Sequence, residues 1–307
     1  MTAIHPDSTK APRRAASRTL ESPDIRNAVF VAPFLLAYVI LLLYPLFYGI
    51  WISLQRYDLF DLSAEFAGLE NYYRLLDDDI FLGAVRNTFI FVGMTVPVFV
   101  GLGLALALVL NRRTRGAAIM RAIFFGTSVL SVTIVTIIWK VVLMPSQGLV
   151  GALAEPLGVE PVAMLSHPDL ALVAVAMATV WWVLGLPMIL FLAALQQIPD
   201  DLYEAAALDN AGRWTTLTKI TLPSIRRTFV VVTIYQVVAQ FQLFGQSLLM
   251  TGGGPNNRSR SFVQFIYEQG FKNWDVGYAA AASEVLFLII AVAALAQYAY
   301  SVRGQTR

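Results

Sequence analysis

The sequence predicts an all-α membrane protein, a bundle of six transmembrane helices. Three observations carry that expectation. Of the 307 residues, 57% are apolar and 14% are Asp, Glu, Lys or Arg, too little charged surface to cover two ordinary soluble domains. Six stretches are long and apolar enough to cross hydrocarbon roughly 30 Å thick, which takes about 20 residues of helix. The basic residues gather in alternate connections, as the retention of Lys and Arg in the cytoplasm requires.

The spans are expected near Val29–Trp51, Thr88–Leu110, Ile123–Leu143, Leu170–Leu195, Thr228–Met250 and Tyr278–Tyr300. Inside them the ionisable side chains other than tyrosine are Lys140, close to the end of the third, and Glu284 in the sixth. Lys140 is expected to snorkel to the surface. The N-terminal tail, the second and fourth connections and the C-terminus together hold 15 basic residues, against six on the opposite side. Both termini are therefore expected in the cytoplasm. The acidic 52–87 connection then faces outward. Residues 1–27, rich in Pro, Ser and Arg, read as a mobile cytoplasmic tail, and 28–303 as the transmembrane domain. The first apolar run is too long for a secretory core and lacks a small-residue cleavage pattern, so it is expected to remain as a helix.

Composition also excludes chemistry. The chain has no cysteine and two histidines, His5 and His167, so disulfides, thiolate metal sites and cysteine nucleophiles are ruled out and no metal centre is expected. A net charge of +2 provides no basic field for nucleic acid. The sequence contains no G-x-x-x-x-G-K-[ST] loop, so it does not read as an ATPase.

The fourth connection, 197–227, reads as helix, turn, helix at the cytoplasmic face. Pro199 followed by Asp200 and Asp201 suits a helix start. Leu202, Ala205, Ala206 and Asp209 fall at helical spacing, so small side chains share one face. Asn210 tolerates left-handed backbone, after which Trp214, Leu217 and Ile220 recur every three residues. Glu204 beside exposed alanines makes a dock for another protein.

The fifth expected span is the most polar. On one continuous helix Tyr235, Gln242 and Gln246 would lie within about 20° of one direction, with Gln236, Gln240 and Ser247 about 100–140° around from it. Glutamine offers a donor and an acceptor to hydroxyls, and an aromatic ring covers the apolar side of a pyranose. Tyr235, Gln236, Gln240, Gln242 and Gln246 are accordingly candidates to line a path for a sugar, the alternative being hydrogen bonds between helices. Glu284 is a further candidate, with packing as its alternative.

Glu204-Ala205-Ala206, followed at fixed distances by Ile220 and Leu222-Pro223, resembles the EAA signature of inner-membrane permease subunits of binding-protein-dependent ABC importers. TGGGPNN at Thr251–Asn257 and the closing FKNWDVGYAAAASEVLFLII are similar to the carbohydrate-uptake branch, the maltose-type and glycerol-phosphate-type permeases. The likeness covers residues 29–303. Asn210 stands where the family usually has glycine, with Gly212 two residues on.

That resemblance implies a type I ABC importer permease fold in the bacterial inner membrane. It implies four kinds of neighbour: a second permease subunit forming a heterodimer, two copies of a cytoplasmic ATPase holding ATP and Mg, an extracytoplasmic solute-binding protein, and membrane lipid. This chain itself would bind no cofactor. Glu204 would meet the ATPase, Ala205 and Ala206 would permit close approach, and Asp209, Asn210 and Gly212 would form the turn. Ile220, Leu222 and Pro223 would set the exit of the second helix, with Pro223 as its stop. Gly252, Gly253, Gly254 and Pro255, in the outward loop 251–277, would face the receptor or form an ordinary flexible turn. The implied function is import of a sugar or sugar derivative by ATP-driven alternating access. Alternatives are a glycerol-phosphate or polyol importer subunit, or, outside the family, an ion-coupled secondary carrier, for which Glu284 is the one intramembrane candidate. Neutral sugars rank first because the spans carry no fixed positive charge apart from Lys140.

Overall fold

A computed structural model describes residues 25–58 and 63–303. Helix dominates, as the hydrophobic sequence demands: hydrocarbon offers backbone amides and carbonyls no partner, and a helix bonds them internally. The chain divides into two units, one ending at Tyr48 and one running from Gly49. In the first, α-helix Ile25–Tyr38 passes through a π-helical turn, Val39–Leu43, and resumes as α-helix at Tyr44. The wide turn closes with the Tyr44 amide on the Val39 carbonyl, immediately before Pro45. Proline has no amide, and its ring crowds the carbonyl four residues back, so widening the turn there lets the helix continue. The expected tail lies outside the described residues as far as 24, and helix has begun by Ile25.

The second unit is organised on one long helix, Asp79–Leu110. It starts well ahead of the expected Thr88 because Asp78 caps it, the carboxylate accepting the Ile80 amide at 2.8 Å and the Phe81 amide at 3.1 Å. Helices Gly185–Leu195, Arg226–Phe241 and Phe262–Tyr267 pack against it. Gly103 permits the first of these crossings: a Cβ there would sit 3.0 Å from that of Pro187. Phe81 meets Phe262 edge-on at 5.2 Å, and Phe89 meets Phe241 likewise at 5.1 Å. Val96, Val100, Met188, Phe191, Val232 and Val237 fill the core between these helices. Leu102, Val109, Leu288 and Val292 stay exposed, as side chains facing lipid tails do.

Three of the six expected spans are not single helices. The third divides into Arg115–Thr127 and Val132–Val142, bent by 100°. The fourth divides into Ala171–Val183 and Gly185–Leu195, bent by 44°, and the fifth into Arg226–Phe241 and Gly245–Thr251, bent by 45°. Phe30–Ser53, Asp79–Leu110 and Val276–Ala299 are long and apolar enough to cross a membrane alone, and the number reaches six when each bent pair is one span.

The 100° elbow is held by the break in the next pair. The hydroxyls of Thr127 and Ser128 donate to the Trp182 carbonyl at 3.0 and 3.2 Å, and the Trp182 indole N–H donates to the Leu130 carbonyl at 3.0 Å. Ser131 caps the second arm. Gly185 lies directly against the first: a Cβ on it would come within 2.2 Å of the Phe124 carbonyl oxygen. Backbone groups released by the break thus find partners inside the protein.

The all-α expectation also omits a small antiparallel ribbon, Gln55–Asp58 paired with Ser63–Phe66. The Asn71 side-chain amide donates to the carbonyls of Ser53 and Gln55, both at 2.9 Å, fixing its root. Close by, Tyr278 donates its hydroxyl to Asp78 at 2.8 Å, and Arg74 pairs with Asp275 at 2.5 Å while lying 3.9 Å from the Tyr278 ring centre. The start of the last helix, Val276–Arg303, is thereby pinned to the start of the long helix.

Because the added methyl would meet backbone, Gly185→Ala is expected to cost about 2 kcal/mol, read as a lower thermal midpoint in detergent. Gly101→Ala, whose methyl meets nothing within 4 Å, should leave the midpoint unchanged or slightly raised.

Candidate functional site

The connection between Gly185–Leu195 and Arg226–Phe241 folds as a helical hairpin rooted in the core. Its first helix, Asp200–Leu208, begins at Pro199 with both aspartates in the first turn, where acids oppose the positive end of the dipole. It ends in a Schellman closure: the Ala211 amide reaches the Ala206 carbonyl at 2.9 Å and the Asn210 amide the Ala207 carbonyl at 3.1 Å. Asn210 takes the left-handed conformation, φ 51°, and so performs the turn expected of glycine. Gly212 is extended and leads into Arg213–Thr216.

A π-helical turn, Leu217–Thr221, follows, closing with the Leu222 amide on the Leu217 carbonyl just before Pro223. This repeats the arrangement at Pro45. Pro223 is therefore not the expected stop: helix continues through Leu222–Ser224, and the chain turns at Ile225, φ −92° and ψ 6°. The widened turn removes the clash that would have ended the helix.

Glu204 and Ala205 are exposed on this hairpin, whereas Ala206 is 7% exposed and packs inward. The outward small residues are thus Ala205 and Ala207. Leu208 and Trp214, 84% and 75% exposed, make the hairpin surface apolar as well as acidic. Beneath it Ile198, Tyr203, Leu222 and Ile225 belong to the main core, and the Tyr203 hydroxyl lies 3.3 Å from Thr221 Oγ1, tying the two helices together. Asp209 and Gly212 are exposed at the turn and Ile220 is half-buried.

The five polar candidates of the fifth span separate into two groups. The helix ends at Phe241 and resumes at Gly245, so a projection at one constant angle does not hold across Gln242 and Gln246. Gln236 and Gln240 are buried and bonded to each other, Gln240 Nε2 donating to Gln236 Oε1 at 3.0 Å. They serve packing. Tyr235 and Gln242 are exposed, and Gln246 is half-buried. Glu284 is half-buried, its Oε1 only 3.1 Å from where a Cβ on Gly49 would stand, so the glycine leaves room for the carboxyl.

The loop Gly252–Pro255 is held by a set of hydrogen bonds. Gly252 and Gly253 are left-handed at φ 64° and 84°, and a Cβ on Gly253 would come within 2.8 Å of Gln264 Nε2. The Ser259 hydroxyl donates to the Gly254 carbonyl at 2.5 Å and lies 2.7 Å from that of Thr251. The Ser247 hydroxyl lies 2.6 Å from the Ser259 carbonyl and 2.7 Å from Gln264 Oε1. Asn87, on the long helix, donates to the carbonyls of Asn257 and Arg260 at 2.7 and 3.1 Å. Nothing local in the sequence singles out Asn87, Ser259 and Gln264. Their polarity beside apolar runs is visible there, but a pairing 170 residues apart is not.

Residues 80–303 match the family described as binding-protein-dependent transport system inner membrane component. The chain is 33% identical over 268 residues to the multiple sugar-binding transport system permease protein of Streptococcus mutans, covering 86% of this chain and 90% of that one. It is 31% identical over 262 residues to the trehalose/maltose transport system permease protein of Thermococcus litoralis, covering 85% and 88%. Its fold resembles a chain in the crystal structure of a bacterial alginate ABC transporter in complex with an alginate pentasaccharide-bound periplasmic protein. The TM-score there is 0.80 at 24% identity, over 91% of this chain and 95% of that one.

If Gln236 and Gln240 are a packing pair, Gln240→Leu strands a buried amide and should cost about 1–2 kcal/mol, measured by unfolding in detergent. The double replacement by leucine should recover most of that loss.

Proposed function

This chain belongs to the binding-protein-dependent transport system inner membrane components, and we propose that it is the permease subunit of an ABC importer carrying a sugar or sugar derivative into the cell by ATP-driven alternating access. The observation that carries this reading is the helical hairpin, with Glu204, Ala205, Leu208 and Trp214 on its surface and Ile198, Tyr203, Leu222 and Ile225 sunk into the core. Such a body is suited to be gripped and moved as a unit.

ATP and Mg belong to two copies of a separate cytoplasmic ATPase, because this sequence has no phosphate-binding loop. ATP binding draws the ATPases together, the hairpins follow, and the bundle opens outward beneath a docked solute-binding protein. Hydrolysis reverses the tilt. The three straight helices and three bent pairs form six spans, with both termini in the cytoplasm. That topology sets the hairpin inside and the bonded loop Gly252–Pro255 outside, facing the receptor. A second, different permease subunit completes the path.

Tyr235, Gln242 and Gln246 are the residues of this chain best situated to meet solute, with Glu284 a further acceptor for hydroxyls. Glutamine, tyrosine and carboxyl groups suit a neutral polyhydroxyl compound. Sugar-transport names among the relatives support the same class.

The absence of cysteine makes topology directly testable. Ala205→Cys should react with a membrane-impermeant maleimide from the cytoplasmic side alone, and labelling from outside would overturn the orientation. In vesicles holding the partner permease, ATPase and receptor, Glu204→Lys should lower ATP-dependent sugar uptake at least tenfold, equivalent to about 1.4 kcal/mol of lost coupling. Uptake by the chain alone under an ion gradient, without ATP, would refute the reading.

A further inference from the structure

A cavity of about 740 Å³ opens beside the hairpin, lined by Asn111, Arg112, Arg113, Arg121, Gln196 and Tyr203 among others. Asp200 also lines it, so three arginines against one acid leave two net positive charges. None of the three arginines has a partner among the described residues. Retention of positive charge in the cytoplasm explains why arginines stand in this connection, but it does not call for a polar recess that brings three of them together.

The position of the recess is informative. It lies where two apolar helices, Asp79–Leu110 and Gly185–Leu195, come to an end, at the depth where hydrocarbon gives way to headgroups. On the helix that carries Arg121, Phe125 is exposed one turn further along the same face, an apolar surface beside the basic recess.

We propose that this cavity binds a phosphate ester, supplied by the headgroup of an anionic phospholipid or by a soluble phosphate compound. The exposed Phe125 favours the lipid, since it provides an apolar surface for acyl chains next to the charge. Guanidinium forks match phosphate oxygens in pairs, and the Tyr203 hydroxyl and the Asn111 and Gln196 amides add neutral donors. Basic recesses at the cytoplasmic ends of membrane helices are suited to such headgroups. Tyr203 and Asp200 stand on the same short helix as Glu204. An occupant would therefore brace the hairpin from behind and make its coupling sensitive to membrane composition. The site itself stands on geometry alone, and its assignment to the inner leaflet rests on the topology proposed above.

Native mass spectrometry of the full chain in detergent tests this without any partner subunit. The chain is titrated with dioleoylphosphatidylglycerol, with dioleoylphosphatidylcholine as the zwitterionic comparison and inorganic phosphate as a competitor. Wild type should hold the anionic lipid at least tenfold more tightly than the zwitterionic one, and R112Q/R113Q/R121Q should abolish that preference. R121Q alone, which leaves Arg112, Arg113 and Arg115 to fix orientation, should weaken it about fivefold. It decides the matter where the triple variant fails to insert. Arginine-dependent protection by millimolar inorganic phosphate without lipid preference would assign the same site to a soluble phosphate. An anionic preference equal in wild type and variants, or binding of neither probe, overturns the proposal.

Discussion

Hydrocarbon cannot hydrogen-bond, and an unpaired backbone amide or carbonyl within it costs several kcal/mol. Several irregularities among the described residues are arranged around that constraint. Where the third span bends, Trp182 supplies both a carbonyl and an indole N–H to the free groups of Thr127, Ser128 and Leu130. Ahead of Pro45 and of Pro223, a π-helical turn closes with an amide reaching five residues back, so the proline's missing donor leaves the helix intact. Where the fifth span breaks, the Gln242 and Leu243 amides bond back to Ala239 and Gln240. The bends are joints with their polar groups already satisfied.

The same satisfaction of polar and apolar groups fixes the hairpin to the bundle. A surface loop tethered by exposed residues would yield before moving anything else. Here Ile198 and Ile225, at its two roots, are buried in the cluster that also contains Phe191 and Val232 of the flanking helices. The Schellman closure at Asn210 fixes the angle between the two short helices, and Tyr203 against Thr221 closes the base. On the opposite end of the bundle, Asp78, Tyr278, Arg74 and Asp275 fasten the long helix to the last one. The two ends are thus joined by helices whose attachments are firm at both termini.

Much of this is legible in the amino-acid sequence. Pro199 with two aspartates marks a helix start, and Asn210 marks a left-handed turn, because both depend on local backbone chemistry. Apolar length locates the spans but says nothing of their straightness: IFFGTSVLSVTI reads as one hydrophobic run, although Thr127, Ser128 and Ser131 are the residues that stabilise its elbow. A single helix through Gln242 sets Gln236 and Gln240 about 100–140° around from Tyr235 and Gln242, but helical spacing does not say which of the two directions meets the core. Ala206 departs from its expected outward position because helical spacing names a face without saying what lies under it. The Tyr278 to Asp78 bond, 200 residues apart, leaves no local trace at all.

The elbow of the third span has a consequence for biogenesis. Its arms, Arg115–Thr127 and Val132–Val142, contain 13 and 11 residues, each short of the roughly 20 that a bilayer crossing takes. The indole N–H that serves its Leu130 carbonyl and the carbonyl that accepts from Ser128 both belong to Trp182, which the ribosome has yet to add when those arms emerge. Until then the Leu130 carbonyl must find another partner, and the elbow gains its indole donor only when the following helices are in place.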